Sequence, residues 1–423
     1  MRSMTDFVDT TNNKVGRAIF HDEEIYRQEL ERVFRKCWLL IGHESQIPEI
    51  GDFFLTRMGE DQVILSRGRD GKPHAFLNTC RHKGMRVCRY DEGNTKRFYC
   101  PYHGWSYDLN GDLQGVPERQ GSYPASFDRK EWGLIQVARI ASFRGTIWAT
   151  WNPEAPDFED YLGDVKESLW YGLGAWDGGD GEIEVLGGVQ KWNVPCNWKF
   201  VSENSGGDPL HNISHQSTDL ARIGPRSGVG RRDPLGELFL TYTPNGHGLI
   251  YEKIDITQPR GHYSMSKITS EYFEDCWRRR LDRLGEKAGS PLVLGNIFPN
   301  AGFHVQQPRV LLMAHPNGPR ASQAWRMYFV DKDAPDEAKD FLRRYYVSYS
   351  GPGGMTEQDD MENWGYASEG AAVHAAQDAP FSYVADTGNF ADPYIPGPVS
   401  KFWLTEHNNM GFYRRWAELM AAE

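Results

Sequence analysis

A chain of 423 residues with a formal net charge of −11 and no long basic block is long enough for two or three domains and excludes a general nucleic-acid binder. A mean hydropathy of −0.63, with no apolar run of about 18 residues, excludes a membrane-spanning helix. The polar stretch from Met1 to Lys14 lacks the apolar core of a signal peptide, so a cytoplasmic protein is expected.

From Asp22 to Lys36 the sequence places Ile25, Leu30 and Phe34 at helical spacing, which predicts an amphipathic helix leading into Trp38. Strands are expected at Asp52 to Met58, Gln62 to Ser66 and His74 to Thr79, with Asp70-Gly71 turning the last two into a hairpin. A second hairpin fits Trp105 to Leu113 around Asn110-Gly111. Between these hairpins lie Cys80-Arg81-His82 and Cys100-Pro101-Tyr102-His103, separated by seventeen residues. Both pairs therefore fall in loops at strand ends, inside a β module running from about Trp38 to Pro153. The other four of the six cysteines, Cys37, Cys88, Cys196 and Cys276, have no paired spacing and read as small buried hydrophobes, not a disulfide framework.

Two thiolates and two imidazoles in mixed pairs are what a Rieske [2Fe-2S] cluster needs, because two cysteines hold one iron and two histidines replace thiolates on the other. A zinc site uses the same residue types, but its usual order is a close Cys pair followed by a close His pair. With Asn78-Thr79 before the first pair and His103-Gly104-Trp105 closing the second, the chain resembles the Rieske proteins. Met85 and Tyr102 stand where the respiratory type has two further cysteines, which points to the oxygenase and ferredoxin branch. A ferredoxin needs about a quarter of this length, so the remaining residues require another job.

Beyond the β module, Phe158 to Trp170 and Thr269 to Leu284 read as helices, and Glu184 to Asn193 and Leu238 to Tyr251 as strands. That mixture predicts an α+β domain with an antiparallel sheet. In Glu203-Asn204-Ser205-Gly206-Gly207-Asp208-Pro209-Leu210-His211-Asn212-Ile213-Ser214-His215 the two histidines are four apart, so on a helix both project from one face. A remote carboxylate would complete a 2-His-1-carboxylate triad, which leaves positions on Fe(II) open. Taken singly, Asp208-Pro209 also reads as a helix cap, and the acids after Thr356 as complements to a helix dipole. The run Glu357-Gln358-Asp359-Asp360-Met361-Glu362-Asn363 resembles the E-x-D-D-x-x-N motif of aromatic-ring-hydroxylating dioxygenase large subunits.

From the Trp38 region to about Tyr366 the chain is thus similar to the Rieske non-haem iron oxygenases, large (α) subunit, of the naphthalene/biphenyl-dioxygenase-like group. The resemblance implies an N-terminal helical segment (1–37) packing with the catalytic domain, a Rieske domain (38–155) and a catalytic mononuclear iron domain (156–423). It implies cluster ligands Cys80, His82, Cys100 and His103, and iron ligands His211, His215 and Asp360. Asp208 would bridge His103 and His211 across a subunit boundary, in an α3 or α3β3 oligomer. This chain departs from the family in having three residues between the histidines and Leu210 before the first.

The implied reaction is cis-dihydroxylation of an arene with O2, electrons coming from NADH through a ferredoxin or reductase. Monooxygenation or O-/N-demethylation is the variant on the same scaffold, and a pure electron carrier is the reading from a different class. Asn204, Ser205 and the run Ile297 to Val305 are expected to line the substrate pocket, ordinary core positions being the alternative. Arg222, Arg226, Arg231 and Arg232 lie in a Gly/Pro-rich stretch suited to a lid, where a guanidinium could hold an aromatic carboxylate; a solvated loop is the bland reading. Arg81, Lys83, Arg86 and Arg89 form either a docking patch for an acidic electron donor or a solvated basic loop.

Overall fold

The structure is a computed structural model that describes residues 7–225, 236–385 and 388–422. It divides into two compact units, Phe34–Ala155 and Met1–Val33 together with Pro156–Glu423.

In the first unit ten short strands form three antiparallel sheets. Strands β1 (Leu39–His43), β2 (Asp52–Met58), β3 (Asp61–Arg67), β4 (Pro73–Leu77) and β5 (Glu92–Asn94) are followed by β6 (Phe98–Tyr99), β7 (Ser106–Tyr107), β8 (Leu113–Gly115), β9 (Arg139–Phe143) and β10 (Thr146–Thr150). Sheet orders are β4-β3-β2-β5, β8-β7-β6 and β9-β10-β1. Both expected hairpins form, with Gly71 and Gly111 at their turns. Phe98 packs edge-on against Phe53 and Phe76 at 5.6 and 5.8 Å between centroids. Cys80 and Cys100 belong to this same buried cluster, so the core that stabilises the sheets also fixes the two thiols.

The second unit is built on a seven-stranded antiparallel sheet, ordered β11-β17-β16-β15-β14-β13-β12. Its strands are β11 (Ile183–Val194), β12 (Gly236–Tyr242), β13 (Gly248–Ile254), β14 (Leu292–Ile297), β15 (Ala301–His304), β16 (Val310–Pro316) and β17 (Ser322–Asp331). The helices that concern the site are α1 (Glu23–Glu29), α2 (Trp198–Ser205), α3 (Lys267–Leu284), α4 (Asp336–Ser350), α5 (Met355–Ala371) and α6 (His407–Ala421). Helix α2 packs on β14, β15 and β16, and α6 packs on β12 and β13.

Three expected elements are divided. Leu238 to Tyr251 is two strands, because Pro244-Asn245-Gly246 makes a turn in which Gly246 N–H donates to Thr243 O at 2.9 Å. Phe158 to Trp170 is broken at Gly163, whose φ of +58° no α-helix accommodates. The first helix starts as expected, with Asp22 accepting from Glu24 N and Ile25 N, both at 2.9 Å. It ends at Glu29 and passes into a π turn over Leu30–Phe34.

Glu29 is fully buried. Its carboxylate pairs with the buried Lys199 ammonium and accepts from the indoles of Trp198 and Trp416 at 2.9 and 2.8 Å. One acid therefore joins α1, α2 and α6. Removing one member of a buried pair strands the other charge at a cost of about 3–5 kcal/mol. Glu29→Ala is expected to lower unfolding stability by about that amount in urea titration; a loss under about 1 kcal/mol would show the pair to be dispensable.

Candidate metal centres

The two cysteine–histidine loops have matching backbones. Cys80 N–H donates to Met85 O and Cys100 N–H to Trp105 O, both at 2.8 Å; Gly84 N–H returns to Cys80 O at 2.9 Å and Gly104 N–H to Cys100 O at 3.0 Å. Each closing glycine has a positive φ, +72° and +71°, which L side chains rarely adopt. Both thiols are buried, and the Tyr107 hydroxyl lies 3.2 Å from Cys80 Sγ while accepting from Arg81 N–H at 3.2 Å. His82 stacks on Trp105 at 5.2 Å and 6°, and its ring lies 4.5 Å from that of His103. His82 Nδ1 is buried without a hydrogen-bond partner. An imidazole nitrogen left unpaired beside two buried thiols fits the donor set of a Rieske cluster.

In the second unit His211, His215 and Asp360 each offer one ligand atom, and all three atoms lie within 4.8 Å of one another. The histidines sit on a 3₁₀ turn, Leu210–His215, not on the expected α-helix. Asp208 begins this tighter turn, its Oδ1 accepting from Leu210 N and His211 N at 2.9 and 3.2 Å. His211 Nδ1 donates to the main-chain carbonyl of Asp208, and His215 Nδ1 donates to Asp359 Oδ2 at 3.2 Å. Both acceptors lack hydrogens, so a neutral imidazole at either position carries its proton on Nδ1 and offers its Nε2 lone pair to a cation. Those Nε2 atoms lie 3.6 and 3.2 Å from Asp360 Oδ1.

His215 Nε2 and Asp360 Oδ1 are both buried and neither makes an aligned hydrogen bond. A shared cation would satisfy both. Burial opposes ionisation of Asp360, yet the hydrogen-bonding contact with His215, the charge His211 and His215 carry when protonated, and Arg326 outweigh it and hold the carboxyl below its usual range. The residues present fit a mononuclear iron with open coordination positions.

Residues 37–136 match the family described as Rieske [2Fe-2S] domain, and residues 183–422 match ring hydroxylating alpha subunit (catalytic domain). The chain belongs to the Rieske ring-hydroxylating α subunits. It is 37% identical to chlorobenzene dioxygenase subunit alpha of Cupriavidus sp. over 100% of this chain and 94% of that one. Biphenyl 2,3-dioxygenase subunit alpha of Rhodococcus jostii is 35% identical, covering 99% and 91% respectively. The solved structure of naphthalene 1,2-dioxygenase with indole bound superposes with a TM-score of 0.90 at 29% identity, over 100% of this chain and 95% of that one. A quaternary ammonium Rieske monooxygenase, at 15% identity and TM-score 0.70 over 96% and 95% of the two chains, shares the fold alone. The protein is therefore an oxidoreductase of the ring-hydroxylating dioxygenase family, whose two domain types imply a Rieske cluster and a mononuclear iron.

Each of the four fixed positions of this α subunit's E-x-D-D-x-x-N motif has a separate task on α5. Buried Glu357 pairs with Arg326 of β17, whose Nη1 also donates to Ser350 O at 2.9 Å. Asp359 orients His215, Asp360 faces both imidazoles, and Asn363 Nδ2 donates to Ser214 Oγ at 2.9 Å. Spacings of three, two and six residues thus place one carboxylate on the sheet, one at the triad and two side chains on the histidine turn. Sequence reasoning missed Asp359, Arg326 and Asn363. For the first and last the motif was the available signal, and for Arg326 there was none.

A cavity of about 220 Å³ meets the triad at His211 and Asp360, and Asn204 and Ser205 line it. Ile297 and Val305 do not, contrary to the sequence expectation. Both are buried, and Val305 packs where a Cβ on Gly172 would come within 2.9 Å of it; Phe303 and His304 of the same run face the cavity instead. Exposed Arg222 is not part of the lining, and Arg226, Arg231 and Arg232 lie outside the described residues. In the basic loop, Arg81 is engaged inward, donating to Gly133 O at 3.0 Å, while Lys83, Arg86 and Arg89 are exposed.

Asp359→Ala is expected to weaken retention of the mononuclear iron about 10–100-fold, measured by chelator competition, with cluster absorbance unchanged. Equal iron retention would remove Asp359 from the site. Glu203, buried and accepting from Tyr383 and Tyr413, is pushed up from 4.5 to about 8, by burial first. A raised carboxyl stabilises the fold fully below its unfolded value and loses that contribution as pH rises towards the folded one. Stability is expected to decline between about pH 4.5 and about pH 8, and Glu203→Gln to flatten that decline in chemical denaturation; an unchanged pH slope would contradict it.

Proposed function

We propose that this chain is the large subunit of a terminal oxygenase that places both atoms of O2 on adjacent carbons of an arene, giving a cis-dihydrodiol. The single observation that carries the reading is the geometry of His211, His215 and Asp360, in which His215 Nε2 and Asp360 Oδ1 are buried without a hydrogen bond while His211 and Asp360 open onto the cavity. Relatives named for chlorobenzene, benzene and biphenyl support an aromatic hydrocarbon as substrate. Monooxygenation is less favoured, because the monooxygenase among the solved structures shares only the fold.

In this reading Cys80, Cys100, His82 and His103 hold the cluster, and His211, His215 and Asp360 hold the iron. When bound, the two groups supply one-electron transfer and O2 activation respectively. The protein's part is to orient and insulate. Asp359 and the Asp208 carbonyl fix both imidazole tautomers, and the cavity wall seats the ring while keeping water away.

Asp208 Oδ2 is 3.9 Å from His211 Nδ1, and the side chain is 23% exposed. That free oxygen is the atom assigned to meet His103 of a neighbouring copy in an α3 or α3β3 assembly. Lys83, Arg86 and Arg89 are assigned to receive an acidic ferredoxin or reductase carrying electrons from NADH. A donor that draws on NADH favours the cytoplasm, in keeping with the absence, among the described residues, of any helix long and apolar enough to cross a membrane.

The reading is tested by incubating the purified oxygenase with NADH, a surrogate ferredoxin and reductase, ¹⁸O2, and chlorobenzene, biphenyl or naphthalene. A dihydrodiol with both oxygens labelled is expected. A product with a single labelled oxygen would replace dioxygenation by the monooxygenase variant.

A further inference from the structure

Between α2 and the histidine turn the chain passes through Gly206 and Gly207. Gly207 sits at φ +104°, and a Cβ there would lie 2.5 Å from Ile250 Cγ1. No side chain fits, so the link to Asp208 is made of the two residues with the most backbone freedom. Left to themselves they would let Asp208 wander.

They are held from the far end of the sequence. Asn408 of α6 is 0% exposed, and its Nδ2 donates to Gly206 O at 2.6 Å and to Gly207 O at 2.7 Å. Both partners are carbonyls, so the orientation of the amide follows from chemistry. These carbonyls belong to consecutive peptide planes. Fixing both sets the dihedrals of Gly207, and with them the direction in which Asp208 leaves the backbone.

The fold keeps this amide at a cost. Asn408 Oδ1 is buried and has no hydrogen-bond partner. An apolar residue of similar size would avoid that loss, so packing alone does not account for asparagine here.

What Asn408 fixes is passed on directly. The Asp208 carbonyl takes the His211 Nδ1 proton, and Asp208 Oδ1 takes the first two N–H groups of the histidine turn. A small rotation of the Gly207–Asp208 peptide would therefore move the free Asp208 Oδ2 and tilt the His211 ring together.

We propose that Asn408 is a positioning residue for electron hand-over: by clamping the Gly206 and Gly207 carbonyls it sets the Asp208 carboxylate and the His211 imidazole in register. The inference rests on the reading in which Asp208 couples the two metal sites. It adds a specific brace on α6, remote in sequence from every ligand.

The test uses the iron-loaded, cluster-containing oxygenase with nitric oxide as the probe of the ferrous site. The electron paramagnetic resonance spectrum of the nitrosyl adduct is recorded with the cluster oxidised and photochemically reduced. The wild type is expected to show a shift between the two states, and Asp208→Asn to abolish it. Asn408→Leu, which keeps the volume and removes both donors, is expected to lose at least half of the shift while iron content and cluster absorbance stay at wild-type levels.

If the wild type shows no shift, or Asp208→Asn retains it, the coupling reading itself fails. If Asp208→Asn abolishes the shift and Asn408→Leu retains all of it, only the role of Asn408 is overturned; a lower melting temperature with the full shift counts the same way. Should Asn408→Leu not take up iron, Asn408→Asp, equal in size and able to donate one bond when protonated, is expected to keep part of the shift, and full retention would overturn the proposal.

Discussion

Burying a carboxylate without a partner is prohibitively costly, and the catalytic unit is arranged around that constraint. Glu29 meets Lys199, Glu357 meets Arg326, and Asp331 meets Arg309 within reach of the Trp176 amide. Glu203, which accepts from two phenols and lies in the field of Lys199, has its carboxyl pushed up to about 8, by burial first. Asp360 is different. It is buried as deeply, and it faces two imidazole nitrogens that, with the rings neutral, offer only lone pairs, so a divalent cation held between the three would satisfy them all. The candidate metal site thus differs from these carboxylates in facing two imidazoles at close range.

The same pairings tether α5 next to Asp360. Glu357 and Asp360 lie one turn apart and share the influence of Arg326. That guanidinium also holds the end of α4 through Ser350 O. A ligand on a helix fixed at two points loses little freedom when the metal binds, which is how preorganisation favours affinity. The histidine turn is shorter and fixed mainly by side chains from elsewhere: Asp359, Asn363 and, through the glycine pair, Asn408.

What could be read from the sequence depended on how local each feature is. The juxtaposition of the two cysteine–histidine pairs was legible because each pair closes within one loop, so short spacing carries most of the local geometry. The grouping of His211, His215 and Asp360 followed from the short motifs around them, although the type of helix carrying the histidines did not, since it is a 3₁₀ turn that spacing does not distinguish from an α turn. The cavity wall was misjudged at Ile297 and Val305. A hydrophobic run does not reveal which of its faces a later element will cover, and Val305 turns out to lie against Gly172. The turn at Pro244-Asn245-Gly246 had its signal in plain view but was masked by the apolar residues on either side. Arg326 and Asn408 left no trace, because their partners are set by tertiary packing and no local period marks them.

The two cluster loops repeat one another atom for atom in the main chain: a cysteine whose amide reaches the carbonyl five positions on, and whose own carbonyl is reached by the glycine four positions on. The main-chain pattern is local, while the side chains of the loops lean on Gly133, Tyr123, Phe127 and Trp132 from farther along the sequence. A designer wishing to transplant an electron-relay centre into an unrelated β scaffold would need to carry over these two knuckles together with Trp105, Tyr107 and the aromatic packing behind them.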